Sequence, residues 1–259
     1  MTENHYQFKN KVILITGGGS GIGRAITQAF LENGASVAIV GRRLSALQET
    51  LAGYPAEKTL AIAKDISKPE SAHEIVEEIL ERFHRLDVVV NDAAVFKGGD
   101  FDKVSLSDWE TLRSINIDAF FYLAQAALPA LKVNKGNFVA ISSVSGSFGD
   151  WKQAIYNASK HAINGFVRSL ALDWGAFGVR INAVAPAFTL TDMTKNTVQN
   201  PAELVPFNNR IALGRPEKPT DVAPAVLFLA SADAAYITGT ILTVDGGTSA
   251  STGQPHIVD

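Results

Sequence analysis

Lys11-Val-Ile-Leu-Ile-Thr-Gly-Gly-Gly-Ser-Gly-Ile-Gly23 is a short β-branched run that feeds a glycine cluster. Apolar residues Ile22, Ile26, Ala29 and Phe30 then recur at helical spacing, so the stretch reads as strand, tight turn and helix. Four of the five residues after Thr16 are glycine. Backbone amides there can approach an anion closely, and the helix beginning near Ile22 presents its positive end to a phosphate. Gly17, Gly21 and Gly23 form G-x-x-x-G-x-G, a spacing distinct from the G-x-G-x-x-G dinucleotide fingerprint. A Gly-rich run alone also fits a plain strand-to-helix turn, so the remainder of the chain has to decide.

Further apolar runs follow at Val37 to Val40, Leu60 to Ala63, Leu86 to Val90, Phe138 to Ile141, Ile181 to Ala185 and Ile241 to Val244, giving seven strands with the first. Helical patterns separate them. The first helix stops at Asn33-Gly34. Ser67 with Glu70, and Ser107 with Glu110, have the spacing of capping boxes that open two later helices. Strands apolar throughout and alternating with helices predict a doubly wound α/β architecture, a parallel seven-stranded Rossmann-type sheet buried on both faces. With no repeat, linker or composition break, residues 1–259 read as a single domain. Residues 1–10 form a polar lead, and residues 189–219, rich in Asn, Pro and Gly, are either a substrate loop beyond the sheet's carboxyl edge or a plain surface loop.

The net charge of −3 and the scatter of Lys and Arg give no basic stripe, which argues against nucleic acid as a partner. No stretch is apolar enough to span a bilayer or act as a signal peptide, so no membrane partner is expected. The chain has no cysteine, which excludes disulfides and thiol catalysis and fits a cytoplasmic protein. His5, His73, His84, His161 and His256 show no ligand spacing, so no metal is expected.

Tyr156 and Lys160 are four apart at the start of the helical segment Ala154 to Trp174, which places them on one face. Such a pair is ordinarily a packed ring beside a solvated ammonium. Beside a nucleotide site it has a chemical reading, because a phenol with a pKa of about 10 needs a fixed cation to exchange protons near neutrality. Ser143 follows the strand Phe138 to Ile141, so its hydroxyl emerges at the same edge.

Thr16-Gly-Gly-Gly-Ser-Gly-Ile-Gly23, Asn91-Asp92-Ala93-Ala94, Asn116, Ser143, Tyr156-x-x-x-Lys160 and Pro186-Ala-Phe-Thr-Leu-Thr191 together resemble the ordered motifs of the short-chain dehydrogenase/reductase family over about residues 8 to 248. The resemblance implies a nicotinamide cofactor, with Tyr156 as general acid/base and Lys160 lowering its pKa while bonding the nicotinamide ribose. It further implies that Ser143 polarises the substrate carbonyl and that Asn116 holds a proton-relaying water. The cofactor would lie against Gly17, Ser20, Gly21, Ile22, Gly23, Asn91, Ala93, Ala94, Pro186, Thr189 and Thr191, and Asp65 and Ile66 would meet the adenine. Two departures stand out, since the family usually has Asn-Asn-Ala-Gly at 91–94 and Pro-Gly at 186–187.

A fold of this kind selective for NAD ends its second strand in an acidic residue. Here the end reads Val40-Gly41-Arg42-Arg43. Two guanidiniums at the positive end of the helix Ser45 to Leu51 suit a ribose 2′-phosphate, so NADP(H) is expected ahead of NAD(H). Gly149-Asp-Trp151, Arg210-Ile-Ala-Leu-Gly-Arg215 and the tail from Asp245 resemble the acetoin and butanediol dehydrogenases of the family. That resemblance implies a carbonyl reductase for a small ketone or alcohol substrate, acetoin- or diacetyl-like. Phe148, Trp151, Ile155, Phe188 and Met193 would give its pocket apolar walls. A 3-ketoacyl-thioester reductase is the alternative within enzymes, and an NADP(H)-sensing regulator the alternative outside them. The family's habit implies a homotetramer built through about Thr220 to Asp245, at whose interface the tail 249–259 emerges; the apolar Ile257-Val258 pair after Pro255 suits docking, so the tail is expected to pack on a neighbouring subunit.

Overall fold

The computed structural model describes residues 6–194 and 201–252. Among them, seven strands form one parallel sheet in the order β3-β2-β1-β4-β5-β6-β7. The strands are β1 (Val12–Thr16), β2 (Ser36–Gly41), β3 (Thr59–Ala63), β4 (Val88–Asn91), β5 (Asn137–Ile141), β6 (Arg180–Pro186) and β7 (Ile241–Val244). In register, Thr16 lies beside Val40 of β2 and Asn91 of β4, so the direction of winding reverses at β1. Ligands of such sheets bind beyond the strands' carboxyl ends at that reversal.

Why the strands are apolar throughout is visible in β1. Val12 and Leu14 enter one core, while Ile13 and Ile15 enter the other. The first core is closed by α3 (Pro69–Phe83), α5 (Ala119–Asn134) and α6 (Ala154–Gly175), through Ile75, Phe120, Ile163 and Val167. The second is closed by α1 (Gly21–Glu32), α2 (Leu44–Leu51) and α8 (Pro219–Ala230), through Ile26, Phe30, Leu47 and Val226. Both faces are therefore dry, which is the condition that lets a parallel sheet dispense with alternation.

Helix α1 stops where the sequence predicts, with Asn33 as its cap and Gly34 at φ +87°. The two expected capping boxes do not form. Ser67 donates through its amide and hydroxyl to Asp65 Oδ1, at 3.0 and 2.8 Å, and so belongs to the turn leaving β3, while Lys68 stands at the N-cap position of α3 without a side-chain cap and Pro69 takes its first position. Helix α4 (Leu106–Arg113) is capped two residues earlier than expected, by Ser105, whose Oγ accepts from the Asp108 amide at 3.0 Å. Ser105 and Asp108 have the same spacing as Ser107 and Glu110, and the sequence alone does not rank the two. Within the expected substrate loop lies a helix, α7 (Pro201–Asn208). Most of the tail, residues 253–259, lies outside the described residues. Among the described residues, no helix is long and apolar enough to cross a membrane.

Candidate active site

The carboxyl ends of β1 to β6 open onto two cavities that share Gly17, Ser20, Ala93 and Ala94 and so form one cleft across the reversal point. One half, of about 510 Å³, is lined by Gly41, Arg42, Arg43, Asp65 and Ile66. The other, of about 210 Å³, is lined by Gly21, Ile22, Asp92, Ser143, Tyr156, Lys160, Pro186, Thr189 and Thr191.

The glycine loop is shaped to leave room. Gly17 stands at φ +75°, and a Cβ there would lie 3.0 Å from the Ala93 amide nitrogen. Gly23 has a different task from the one expected of it. It does not line the cleft; a Cβ on it would collide with the Gly17 carbonyl and come within 2.7 Å of Asp92 Oδ2, so it serves the close approach of α1 to the loop. Ser20, the N-cap of α1, makes no side-chain cap bond, so the amides of Gly21 and Ile22 remain available on the cleft side, while that of Gly23 is turned to Asp92. Arg24 braces the loop from behind, donating to the Gly19 carbonyl at 2.9 Å and to Thr50 Oγ1 at 3.1 Å. Thr16 Oγ1 accepts from the Asp92 and Ala93 amides, both at 3.2 Å, which ties the ends of β1 and β4 together. Neither Arg24 nor Thr16 carries a sequence signal beyond its place in the loop. Asn91 is buried next to Thr16 and does not line the cleft.

Tyr156 comes from the first turn of α6 and Lys160 from the second, while Ser143 caps the short turn after β5, its Oγ accepting from the Ser145 amide at 3.1 Å. The three meet in the smaller cavity. Burial pushes the Tyr156 phenol up to about 12, against a hydrogen bond with Ser143 and with the charges of Asp150 and Asp92 adding to the rise. The nearby Lys160 does not offset that rise. Its ammonium stands 5.7 Å from the ring centroid, donates to the Ile141 carbonyl at 2.9 Å, and is itself pushed down by burial to about 8, with Asp92 opposing that fall. The expected depression of the phenol is thus not a property of this geometry. A neutral phenol at pH 7 suits proton donation.

Asp92 is the residue the sequence reading passed over. It replaces a family Asn, and it lines the cavity as a half-buried residue whose carboxyl is desolvated. Burial pushes it up to about 7, while Lys160 and the Gly23 amide pull it down. The departure from the family pattern was the available signal. Asn116 sits in a π-helical turn, Ser114–Asp118, and its amide is fully engaged: Oδ1 accepts from the Val95 amide at 2.8 Å, and Nδ2 donates to the Val95 carbonyl at 2.9 Å and to Ser159 Oγ at 3.2 Å. It braces the β4 exit against α6 without lining the cleft. Of the expected apolar wall, Met193 lines the catalytic cavity, whereas Trp151 and Phe148 are exposed and Phe188 stacks on Phe207 behind it. Phe96 instead meets the Tyr156 ring edge-on at 5.2 Å.

Arg42 and Arg43 are exposed at the rim, where the first turn of α2 carries no acidic residue and no side-chain cap. Burial raises Asp65, but the bonds from Ser67 and the charge of Arg42 outweigh it and hold the carboxyl below its ordinary range.

The sequence profile of a family described as enoyl-(acyl carrier protein) reductase matches residues 17–249. Meso-2,3-butanediol dehydrogenase of Serratia marcescens is 40% identical over 252 residues, covering 97% of this chain and 100% of that one. The chain belongs to the short-chain dehydrogenase/reductase family. Among solved members, a short-chain dehydrogenase/reductase of Brucella melitensis superposes with a TM-score of 0.91 at 30% identity, covering 95% of this chain and 99% of that one. A 3-ketoacyl-(acyl-carrier-protein) reductase of Brucella melitensis, solved in complex with NADH, gives 0.87 at 29% identity, covering 94% and 100%. As a short-chain dehydrogenase/reductase the protein is an oxidoreductase that uses a nicotinamide cofactor. Its uncapped α1, the open glycine loop and the buried ammonium of Lys160 at the cavity wall suit the diphosphate and ribose of such a group.

Proposed function

We propose that the protein is an NADP(H)-dependent carbonyl reductase of small ketones or diketones, acetoin- or diacetyl-like. The observation that carries this reading is the single cleft with Arg42 and Arg43 at one end and Ser143, Tyr156 and Lys160 at the other. The arginines suit a 2′-phosphate, whose charge also complements the uncapped start of α2. Arg42, Arg43, Asp65 and Ile66 would hold the adenosine end, Ser20, Gly21 and Ile22 the diphosphate, and Lys160, Pro186, Thr189 and Thr191 the nicotinamide end.

When bound, the nicotinamide supplies the hydride for reduction or accepts it in the reverse reaction. The Tyr156 phenol, kept neutral by burial, gives its proton to the substrate's carbonyl oxygen. Ser143 donates a hydrogen bond to that oxygen and so stabilises charge developing on it. Lys160, charged up to about pH 8, keeps a cation beside the phenol as it deprotonates. Asn116 holds the Val95 backbone, and with it the cavity roof, in place. A small ketone or diketone is the substrate class we infer, ahead of a 3-ketoacyl thioester. The Serratia relative's name points the same way. Arg42→Ala is the test of the cofactor assignment: it should raise the Kd of NADPH roughly tenfold, the worth of a charge-assisted bond, and leave that of NADH unchanged. Equal affinity of the unmodified protein for both cofactors would exclude a role for the arginines.

A further inference from the structure

Segment Ala187–Leu190 leaves β6 and walls the smaller cavity, and the chain returns to it 28 residues later at Glu217. The two meet in a parallel bridge, with the Leu190 amide donating to the Glu217 carbonyl at 2.8 Å and the Glu217 amide donating to the Phe188 carbonyl at 3.0 Å. A side-chain pair crosses the same bridge. Thr189 Oγ1 lies 2.8 Å from Glu217 Oε2 and 3.2 Å from the Ala187 carbonyl, and both residues are buried, at 5% and 8% exposure. The Thr189 hydroxyl is therefore committed to this pair, while the residue itself lines the cavity. Glu217 Oε1 has no hydrogen-bond partner among the described residues.

One hydroxyl has one proton, so the carboxyl's state decides how many bonds close. If Glu217 is ionised, Thr189 must donate to it and the Ala187 carbonyl loses that donor. If Glu217 is protonated, it donates to Thr189, which donates onward to Ala187, and the chain of bonds is complete. The charged groups facing Glu217 do not act alike: two carboxyls favour the second state, while Arg215, which is attracted to the Glu217 carboxylate, favours the first. Asp221 at the start of α8 and Asp245 beyond β7 are both acidic, and Arg215 on its own segment is engaged by Asp221 at 2.6 and 3.0 Å. Burial pushes Glu217 up to about 7, with Thr189 and the Ala187 amide opposing and the two aspartates adding to the rise.

We propose that Glu217 is a positioning residue for the reaction: through Thr189 its protonated carboxyl fixes the Ala187–Leu190 wall against which nicotinamide and ketone are held. The proposal rests on the reading of this cavity as the site of hydride transfer. Four proteins test it: the unmodified chain, Glu217→Gln, which can donate to Thr189 at any pH, Glu217→Ala, which cannot, and Thr189→Val. Hydrogen-exchange protection of the peptide 187–191 is followed without substrate, alongside the Kd of NADPH and the KM and kcat for diacetyl, at about one pH unit below and two above neutrality. In the unmodified protein protection should fall and KM should rise about three- to tenfold between the two conditions, the worth of one or two hydrogen bonds, with kcat moving less. Glu217→Gln should remove that pH dependence, and Glu217→Ala should show weak protection and high KM throughout. Thr189→Val breaks the same chain of bonds and should match Glu217→Ala, which keeps the test standing if the latter does not fold. A Glu217→Gln protein that follows the unmodified protein's pH trend, or a Glu217→Ala protein with unmodified protection and KM, overturns the proposal. Absence of ketone turnover in the unmodified chain would instead strike the functional reading, since the exchange measurement needs no substrate.

Discussion

At the scale of single residues, three ionisable groups, the buried Lys160 and the half-buried Tyr156 and Asp92, share one small cavity, and their protonation states set its chemistry. Tyr156 is held neutral, Lys160 carries charge up to about pH 8, and Asp92 titrates at about 7. Removal of the transferable proton in Tyr156→Phe should lower kcat about 10² to 10⁴-fold while leaving the Kd of NADPH near its original value, as steady-state rates and fluorescence titration would show. Asp92 acts on its neighbours through charge. Its carboxylate raises both Lys160 and Tyr156, and its own titration should show near neutrality in the rate profile. In Asp92→Asn that feature should vanish and the loss of the Lys160 ammonium should move to lower pH, because the anion that supports it is gone. The measurement is kcat/KM for reduction from about pH 5 to about pH 10. Superposable profiles for the two proteins would deny Asp92 any electrostatic part. Position 92 was visible in the sequence as a departure from Asn, but its burial beside Lys160 is a tertiary fact that spacing does not carry.

At the scale of elements, what the sequence made legible was set by periodicity. Each apolar run became a strand, because a strand buried on both faces has no alternation to confuse it with an exposed one. Helix starts were less legible, since Ser105-x-x-Asp108 and Ser107-x-x-Glu110 satisfy the same rule and only the packing of α4 chooses between them. The π-helical turn at Ser114–Asp118 was not legible at all; nothing in a helical pattern announces one extra residue, yet it is what brings Asn116 onto the Val95 backbone. Opposite the cleft, Asp87 precedes β4 and fastens β1 to it, accepting from Arg85 Nε and Nη2, both at 2.7 Å, from Lys11 Nζ at 3.1 Å and from the Val12 amide at 2.9 Å. Burial raises this carboxyl, but those donors outweigh it and its pKa is lowered. A carboxyl with a lowered folded pKa contributes stability above the unfolded value of about 3.9 and loses it as pH falls through the folded one. Asp87→Asn should therefore cost about 1–3 kcal/mol near pH 7, between the exposed-pair and buried-pair ranges because the carboxyl is buried but both cations reach solvent, and less at acid pH. Urea melts at two pH values give the check, and an equal cost at both would contradict it.

At the scale of the whole molecule, the sheet ends in β7, a half-exposed edge strand at the end of the strand order, with α8 alongside. An uncovered parallel edge invites pairing with another chain. The expected homotetramer through about Thr220 to Asp245 would cover it, and light scattering at four times the chain mass is the predicted outcome; a monomer would remove that assembly from the account. Removal of residues 249–259 should then raise the KM for ketone or weaken the tetramer while leaving NADPH affinity unchanged. Both ideas serve the central claim, that the cleft runs from a 2′-phosphate site at Arg42 and Arg43 to a proton donor at Tyr156. The most direct test is the initial rate of cofactor oxidation by the purified protein with diacetyl, NADPH and NADH compared at equal concentration. The account predicts turnover with NADPH at a kcat/KM about tenfold or more above that with NADH. Turnover of neither cofactor with any small ketone, or a preference for NADH, would contradict it.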